Sequence, residues 1–231
     1  MYKQKTVLSI ITARAGSKGL KNKNLKKLNN IPLFLWPINS SLKSKIIDQT
    51  VITTDSKEIL KYPINKKVIK IKRPKKISGD KSSSIDALLH VIKELKKKDK
   101  YFDYLILLEP TSPLTNEKDI DYCLKKLINK KKVSSLLSIQ KVIYSHPAYM
   151  YSKKKGYLYK RFPNETKNRR QDLDNLFCLD GSLYISKIND LIKFKSFVGG
   201  KVIGVEFNKI KNFEIDDKID LKILNKIFKL R

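Results

Sequence analysis

A short stretch near the N-terminus carries the residues best suited to bind a phosphate chain. It spans Ile11 to Asn24 and reads ITARAGSKGLKNKN. Its cations are Arg14, Lys18, Lys21 and Lys23. Gly16 and Gly19 allow the backbone to turn sharply, and Ser17 with the main-chain N–H groups offers neutral donors. The spacing fits neither the Walker A pattern nor GxGxxG. The clustered charge after an apolar run at 7–11 predicts a polyphosphate-binding loop at the end of a first strand.

Two carboxylates near the C-terminus are spaced to bind a divalent cation. Glu214 and Asp216 are two residues apart in a segment predicted to be extended, so their side chains point to the same side. Carboxylate oxygens and water suit a hard cation such as Mg²⁺ or Mn²⁺ that bridges phosphate oxygens. The alternative is that Asp216 and Asp217 only cap the last predicted helix, at 218–229.

The charge of the chain needs a separate explanation. The 231 residues have a formal net charge of +29, which would suit a nucleic-acid partner. The basic residues are 45 lysines and 6 arginines, however, and the lysine runs fall at the ends of predicted helices, near the favourable dipole. A compositional lysine bias explains this pattern better than a nucleic-acid site. Each arginine then stands out, because its planar fork binds phosphate or carboxylate through two N–H groups.

Cysteine use and hydropathy bear on where the protein works. The two cysteines, Cys123 and Cys178, have neither metal-ligand spacing nor a CxxC pattern, which favours a reduced, cytoplasmic setting. No apolar run approaches the ~18–20 residues that span a bilayer. The apolar run behind the N-terminus is too short for a signal peptide. We therefore expect no membrane partner.

The candidate site residues must be positioned by a fold in which strands and helices alternate. The clearest helix carries apolar residues at helical spacing through 85–95, and the most apolar strand is 103–108. Further strands are predicted at 7–11, 49–53, 68–71, 134–139, 183–185 and 202–207. Further helices are predicted at 31–43, 117–129, 187–192 and 218–229. This alternation predicts an α/β fold with a mainly parallel sheet and flanking helices.

One segment breaks the alternation. Between 140 and 178 the pattern is short, aromatic and basic. We interpret this segment as a β-rich inserted arm, which leaves a main domain formed by 1–139 and 179–231. In the main domain, ligands of an open α/β sheet bind at the carboxyl ends of the strands. We expect one crevice bordered by the polar clusters around Arg14, Asp55, 73–84, 109–112 and 214–216.

Six motifs occur in the order found in one known family. They are ARAGSKGLKNKN at 13–24, TTDS at 53–56, RPKKISGDKSS at 73–83, LLEPTSPLT at 107–115, DGSLYI at 180–185 and EIDDKIDL at 214–221. Together they resemble the acylneuraminate cytidylyltransferases, or CMP-sialic acid synthetases, over nearly the whole chain. The resemblance implies a Rossmann-like sheet and an enzyme that joins CTP to a nine-carbon 2-keto sugar acid with release of pyrophosphate. It also implies a homodimer in which the inserted arm reaches the partner's site.

The resemblance further implies roles on the nucleotide side. Arg14, Lys18 and Lys23 match triphosphate-binding positions. Other residues at or near the nucleotide positions are Ser17, Asn24, Arg73, Asp80 and Ser83. For Arg73 the alternative is a salt bridge to a loop carboxylate. Asp216 matches a metal-binding carboxylate, and Glu214 stands where the family usually has Asp, so Asp216 is the stronger candidate. Activation of the attacking hydroxyl, by a metal or by Asp216 as base, stays open.

On the sugar side the sequence departs from the family. Arg170 and Tyr184 match positions that meet the sugar acid, with core packing as the alternative for Tyr184. Glu109 replaces the usual Gln, and Cys178 and Asp180 stand where Arg and Asn are common. An anionic Glu109 disfavours an anionic acceptor unless it accepts hydrogen bonds from hydroxyl or N–H groups, or pairs with a lysine. We therefore predict a modified acceptor, such as legionaminic acid or another nonulosonic acid.

Two other functions remain open from the sequence. A nucleotidyltransferase for another sugar acid or a sugar phosphate would use the same loop and fold. A non-enzymic nucleic-acid-binding protein would need basic residues gathered on one face, whereas the lysines are interleaved along the chain. The resemblance implies CTP and a nonulosonic acid as partners, and the interleaved lysines argue against a nucleic acid.

Overall fold

The computed structural model describes residues 2–16, 19–80, 82–163, 169–208 and 210–229. Its strands are β1 Val7–Thr12, β2 Lys27–Leu28, β3 Ile31–Pro32, β4 Gln49–Thr54, β5 Val68–Lys72, β6 Tyr104–Leu108, β7 Ser135–Lys141, β8 Tyr151–Lys154, β9 Tyr157–Lys160, β10 Phe177–Lys187 and β11 Val202–Glu206. Its α-helices are α1 Leu35–Lys43, α2 Lys57–Lys61, α3 Ser84–Lys96, α4 Glu117–Ile128, α5 Ile188–Phe194 and α6 Lys218–Lys229. Short 3-10 turns cover Lys23–Leu25, Lys75–Ile77, Pro147–Tyr149 and Arg170–Asp172.

A seven-stranded sheet forms the centre of the described residues, in the order β11-β7-β10-β6-β1-β4-β5. The neighbours from β6 to β5 are parallel to one another, and β11 is parallel to β7. β10 runs antiparallel to both of its neighbours. The predicted α/β fold with a mainly parallel sheet is therefore confirmed. Because β1, β4, β5 and β6 are parallel, the loops that follow them leave the same edge of the sheet.

Helices cover both faces of the sheet. On one face α1 and α4 pack against Val7 and Ile11 of β1, and on the other α3 and α5 pack against Leu8 and Ile10. Successive side chains of a strand point to opposite faces, so one apolar strand supplies both layers. Every residue of β6 is buried for the same reason. None of the helices in the described ranges combines the length and apolar character needed to cross a bilayer.

The first predicted helix begins later than the sequence pattern indicates. Ile31–Pro32 pairs antiparallel with β2 as strand β3, and α1 starts only at Leu35. The cause is the turn at Asn29 and Asn30, whose φ angles of 46° and 63° are both positive. Two such residues make the hairpin turn whose twist matches that of the flanking strands. The prediction that Pro32 lies in the first turn of a helix is therefore wrong.

The last helix packs against this hairpin. Leu224 of α6 and Ile215 are buried in one cluster with Leu28 and Leu33. The Ile215 N–H also donates to the Thr111 carbonyl oxygen at 2.9 Å. These contacts hold the segment 213–217 beside the turn that follows β6, at the carboxyl edge of the sheet.

The aromatic segment lengthens two sheet strands before it leaves the main domain. β7 continues to Lys141 and β10 begins at Phe177, which lies opposite Lys141. The domain boundaries predicted at 139/140 and 178/179 thus fall inside a pair of strands. The strand predicted to start at Leu183 starts at Phe177, because backbone pairing with β7 continues beyond a register shift to the exposed residues 177–179. Beyond this pair lies the antiparallel hairpin β8–β9.

Candidate active site

A cavity of about 520 Å³ opens at the carboxyl edge of the sheet. The loops after β1, β5 and β6 and the segment before α6 all contribute to its wall, so four of the five predicted polar clusters meet here. The fifth, around Asp55, does not line the cavity. Of the predicted site residues, the wall contains Arg14, Lys23, Asn24, Arg73, Asp80, Ser83, Glu109 and Asp216. Tyr184 and Glu214 do not line it. Ser17, Lys18 and the side chain of Arg170 lie outside the described residues.

The loop after β1 is held by hydrogen bonds from three directions. The Ala13 N–H donates to the Thr53 carbonyl oxygen at 3.0 Å. The Ala15 N–H donates to Asp55 Oδ1 at 2.8 Å. The Asn24 side-chain amide donates to the Arg14 carbonyl oxygen at 2.9 Å. These hydrogen bonds hold the start of the basic stretch against β4 and the residue after it, and they connect the start of the stretch to its end at Asn24. Together they set the position of Arg14.

Gly19 explains why this loop can approach the acidic segment. A Cβ at position 19 would lie 2.6 Å from the carbonyl oxygen of Asp216, which is too close for any side chain. Gly16, in contrast, has open space at the same point. Gly19 therefore allows the loop to lie against the main chain of Asp216 at the cavity wall.

Three cations of the cavity, Arg14, Lys23 and Arg73, form what we call the cationic wall. Arg14 Nη1 donates to the Gly79 carbonyl oxygen and to Asp80 Oδ1, both at 3.2 Å. Lys23 Nζ lies 3.0 Å from Asp216 Oδ1. Both ion pairs are partly exposed, and such pairs contribute little stability. An incoming triphosphate could therefore replace either carboxylate as the partner of its cation.

Arg73 differs from the other two cations because it is buried, with 6% of its surface exposed. Its Nη2 donates to the Thr53 carbonyl oxygen at 3.1 Å, whereas its Nε has no partner among the described residues. Burial lowers the pKa of Arg73, Asp55 opposes this by raising it, and Arg14 lowers it further. No described carboxylate forms an ion pair with Arg73, so the predicted alternative of a salt bridge is wrong.

The start of α3 adds neutral donors to the same cavity. Ser82, Ser83 and Ser84 line the wall. The Ser83 hydroxyl caps the helix by accepting the Asp86 N–H at 3.3 Å. The positive end of a 13-residue helix therefore faces the cavity, which favours an anion there.

The carboxyl groups of Glu109, Asp180 and Glu214 form an acidic cluster on the other side of the site. Glu109 follows β6, and burial raises its pKa, with Lys23 lowering it and Asp216 raising it. Burial also raises the pKa of Glu214, to about 7, and the charges of Glu109, Asp216 and Asp180 add to this effect. Three carboxyls so placed require hydrogen-bond donors or cations from elsewhere.

A glycine in β10 makes room for Glu214. Gly181 has a φ of 73°, and a Cβ there would lie 1.6 Å from Glu214 Oε1. The Glu214 carboxyl thus occupies the space that the side chain of any other residue at position 181 would fill. Gly181 was not among the predicted site residues. The feature that could have indicated its role is a lone glycine within a strand pattern, because such a glycine indicates an irregularity or a close approach.

Asp180, the residue before Gly181, is a buried polar residue. Its Oδ1 accepts hydrogen bonds from the Ser138 hydroxyl and from the Ser182 N–H, the latter at 3.0 Å. Its Oδ2 is buried and has no partner among the described residues. Asp180 therefore fixes the irregular part of β10 around Gly181.

The two candidate metal ligands are not equivalent. Asp216 lines the cavity with 74% of its side chain exposed. The helix-capping alternative applies to Asp217, whose Oδ1 accepts the N–H groups of Ile219 and Asp220 at 2.6 and 3.0 Å. Glu214 is turned toward Gly181. Among the described residues there is no group of three metal-ligating side chains. Asp216 is the one of the two candidate carboxylates that is exposed to the cavity.

Tyr184 lies behind the cavity wall, between the acidic cluster and the core. Its ring packs 5.4 Å from the ring of Phe197. Burial raises its pKa to about 12, and the charges of Glu109 and Glu214 contribute. The Tyr184 side chain therefore both packs against the core and lies near the acidic cluster.

Comparison with known proteins identifies the family. The Cytidylyltransferase family profile matches residues 8–230. An N-acylneuraminate cytidylyltransferase A from Danio rerio is 30% identical over 94% of this chain and 50% of its own length. A CMP-N,N'-diacetyllegionaminic acid synthase from Legionella pneumophila is 28% identical over 97% of both chains. The chain therefore spans about half the length of the first relative and nearly all of the second.

Two solved structures share the Rossmann-like fold. CMP:2-keto-3-deoxy-manno-octonic acid synthetase complexed with CTP has a TM-score of 0.70 and 13% identity, over 97% of this chain and 99% of that one. A 4-diphosphocytidyl-2C-methyl-D-erythritol synthase from Anaerococcus prevotii has a TM-score of 0.67, also with 13% identity. At this identity the likeness concerns the fold alone. On the match of the family profile from residue 8 to residue 230, the chain belongs to the cytidylyltransferase family.

Proposed function

We propose that this protein joins CTP to a sialic-acid-like nonulosonic acid and releases pyrophosphate. The observation that carries the proposal is the cavity at the carboxyl edge, where the cationic wall and the start of α3 face the same space. A triphosphate of about four negative charges needs this concentration of donors and cations. The family membership supports transfer of a cytidylyl group.

The residues act mainly by position and charge. The acceptor hydroxyl attacks the α-phosphorus in line, and pyrophosphate leaves on the opposite side. Arg14 and Lys23 exchange their carboxylate partners for phosphate oxygens and so offset the charge that develops on the leaving group. Lys18, by the family resemblance, assists them. The buried Nε–H of Arg73 has no partner among the described residues, and we assign Arg73 to orienting the nucleotide from below.

A Mg²⁺ or Mn²⁺ ion is part of the proposal. When bound, such an ion neutralises phosphate charge and holds the phosphate oxygens in place. Asp216 is the residue that would hold it, because its carboxylate is exposed in the cavity. Movement of Lys23 from Asp216 to the triphosphate would free that carboxylate at the moment the cation arrives. Glu214 is better explained as a member of the acidic cluster.

The acceptor should carry many hydrogen-bond donors. Glu109 lies in the cavity wall with a raised pKa. Within the acidic cluster, Asp180 has donors in Ser138 and Ser182. In contrast, no hydrogen bond from a described residue reaches the Glu109 or Glu214 carboxyl. A nonulosonic acid with amide N–H groups in place of some hydroxyls would supply donors to these two carboxyls. Legionaminic acid is the acceptor we favour, and the name of the Legionella pneumophila relative agrees with this choice.

The assembly we propose is a cytoplasmic homodimer formed through the arm. The arm carries apolar side chains in solvent, with exposed fractions of 72% for Tyr144, 71% for Tyr157 and 66% for Leu158. Contiguous exposed apolar surface of this kind usually marks a contact surface. By the family resemblance, Arg170 would reach the partner's sugar site.

The test is pyrophosphate release by the purified protein with Mg²⁺. We expect release with CTP and a nonulosonic acid, and little with ATP, GTP or UTP. Equal use of the four nucleotides would contradict the assignment to CTP. A panel of legionaminic acid, N-acetylneuraminic acid, an eight-carbon keto-deoxy sugar acid and a sugar phosphate then defines the acceptor. Strong preference for plain N-acetylneuraminic acid would contradict the modified acceptor.

A further inference from the structure

Asp55 lies beneath the cationic wall without lining the cavity. It follows β4 directly, at the carboxyl edge of the sheet. Its Oδ1 accepts the N–H of Ala15 at 2.8 Å, and Ala15 is the residue next to Arg14. The carboxylate therefore holds the main chain at the point where the first cation of the wall projects.

Asp55 also acts on the second arginine of the wall. Burial lowers the pKa of Arg73, Asp55 raises it, and Arg14 lowers it. The Asp55 carboxylate thus lies close enough to Arg73 for its charge to act on that side chain. One acidic side chain is linked to the Arg14 loop by a hydrogen bond and to Arg73 by charge.

We propose that Asp55 is a positioning residue that fixes the Arg14 loop for the triphosphate through its bond to the Ala15 N–H. This inference rests on the proposed function for its kinetic consequence, whereas the loop contact itself is independent of that function. Asp55 does not line the cavity, so its effect passes through Arg14. Without the contact, part of the binding free energy of CTP would be spent on ordering the loop, which raises KM more than it lowers kcat.

The chain offers a matched control at the other end of β4. Asp48 precedes β4, and its Oδ2 accepts the N–H of Val7, at the start of β1, at 2.8 Å. The two carboxylates make the same kind of bond, Asp48 to the start of β1 and Asp55 to the loop that follows it. Six residues of strand separate them, about 20 Å, so Asp48 is remote from the cavity.

Two substitutions at position 55 separate position from charge. Asp55→Asn keeps the oxygen that accepts the Ala15 N–H and removes the charge. Asp55→Glu keeps the charge and moves the oxygen. We expect Asp55→Glu to raise KM for CTP about tenfold or more with kcat changed less than about threefold, and Asp55→Asn and Asp48→Glu to leave both within about threefold. A purely electrostatic role predicts the reverse order at position 55, with Asp55→Asn changed and Asp55→Glu normal.

A second readout does not depend on activity. We expect amide hydrogen exchange in residues 13–16 to be about tenfold faster in Asp55→Glu than in the wild type, Asp55→Asn and Asp48→Glu. Unchanged exchange in Asp55→Glu would overturn the role of Asp55, and so would a wild-type KM in that variant. A wild-type protein that releases no pyrophosphate from CTP would contradict the proposed function instead, and the exchange rates would still decide the role of Asp55.

Discussion

The cationic wall and the acidic cluster border one site, and their charged groups differ in exposure and in pairing. Arg14 and Lys23 are partly exposed and already paired with carboxylates. Glu109 and Glu214 are half-buried with raised pKa values, and Lys23 is the cation that opposes this rise in both. If the proposed function holds, the nucleotide side needs only an exchange of partners when CTP binds. On the acceptor side, Glu109 and Glu214 would then receive hydrogen-bond donors from the ligand.

The largest effect is expected at Asp216, which joins the two regions through its pair with Lys23. Asp216→Ala should reduce CTP turnover by about 1000-fold, or roughly 4 kcal/mol in the barrier, without loss of folding because the side chain is 74% exposed. Pyrophosphate release at saturating CTP measures it. The control is Asp217→Ala, which removes the cap of α6 and should lower the unfolding free energy by about 1 kcal/mol with turnover kept. Equal turnover in the two variants would contradict the division of roles.

The next effect tests the cationic wall alone. Lys23→Ala should lower kcat/KM for CTP by about 100-fold, or roughly 2.7 kcal/mol, because it removes a cation that we assign to the triphosphate. Lys26→Ala removes an equal charge three residues away, outside the cavity wall, and should stay within about threefold. A similar loss in both variants would mean that net charge matters and that the position of Lys23 does not. We expect the same loss for Lys18→Ala on the basis of the sequence resemblance.

The third effect tests the acidic cluster through its pH dependence. The folded-state pKa of Glu214 is about 7, above the value of 4.5 expected in the unfolded chain. Folding therefore favours the protonated form, and the wild type loses stability from this group as the pH rises from about 4.5 through 7. Glu214→Gln removes the loss. The full difference between the two pKa values corresponds to about 3.4 kcal/mol. Because Glu214 is only half-buried and solvent screens its charge, the unfolding free energy of the variant should exceed that of the wild type by about 2 kcal/mol at pH 8, and by much less at pH 4. Urea denaturation in the absence of divalent cations measures the difference. A gap that does not change with pH would contradict the buried, protonated state.

The smallest effect concerns acceptor choice. Glu109→Gln removes the negative charge from the wall and keeps the shape of the side chain. We expect the preference for legionaminic acid over N-acetylneuraminic acid, as a ratio of kcat/KM values, to fall about tenfold, or roughly 1.4 kcal/mol. KM for CTP should change less than about twofold, because the cationic wall is untouched. An unchanged ratio of kcat/KM values for the two acceptors would show that Glu109 does not determine acceptor preference.

Much of the fold could be predicted from the sequence because its signals are local. The apolar run of β6 and the helical spacing of α3 each depend on neighbours within one element. The start of α1 was missed because two asparagines with positive φ formed a hairpin turn, and a proline suits a strand end as well as a first helical turn. The start of β10 was missed because the register with β7 shifts between Leu179 and Tyr184, so that the exposed apolar residues at the start of the strand are separated from its buried part.

The candidate site divides in the same way. The residue types of the basic loop and of the carboxylates at 214–217 were visible in the sequence, and so was the expectation that they meet at one edge of the sheet. The sequence could not show which carboxylate caps α6, since Asp216 and Asp217 are equally suited by type. Only the docking of the segment on Thr111 and Gly19 decides it, and it leaves Asp217 as the cap and Asp216 in the cavity.

By itself the sequence determined the order of strands and helices, the supply of cations for a triphosphate, and the family resemblance, because each depends on residue type and spacing along the chain. The tertiary structure decided which group each charged side chain contacts and whether that side chain is buried. It buried Arg73 beside Asp55, paired Lys23 with Asp216, and placed Glu214 against Gly181. These outcomes depend on desolvation and on distances between residues far apart in the chain, and neither quantity can be computed from spacing alone.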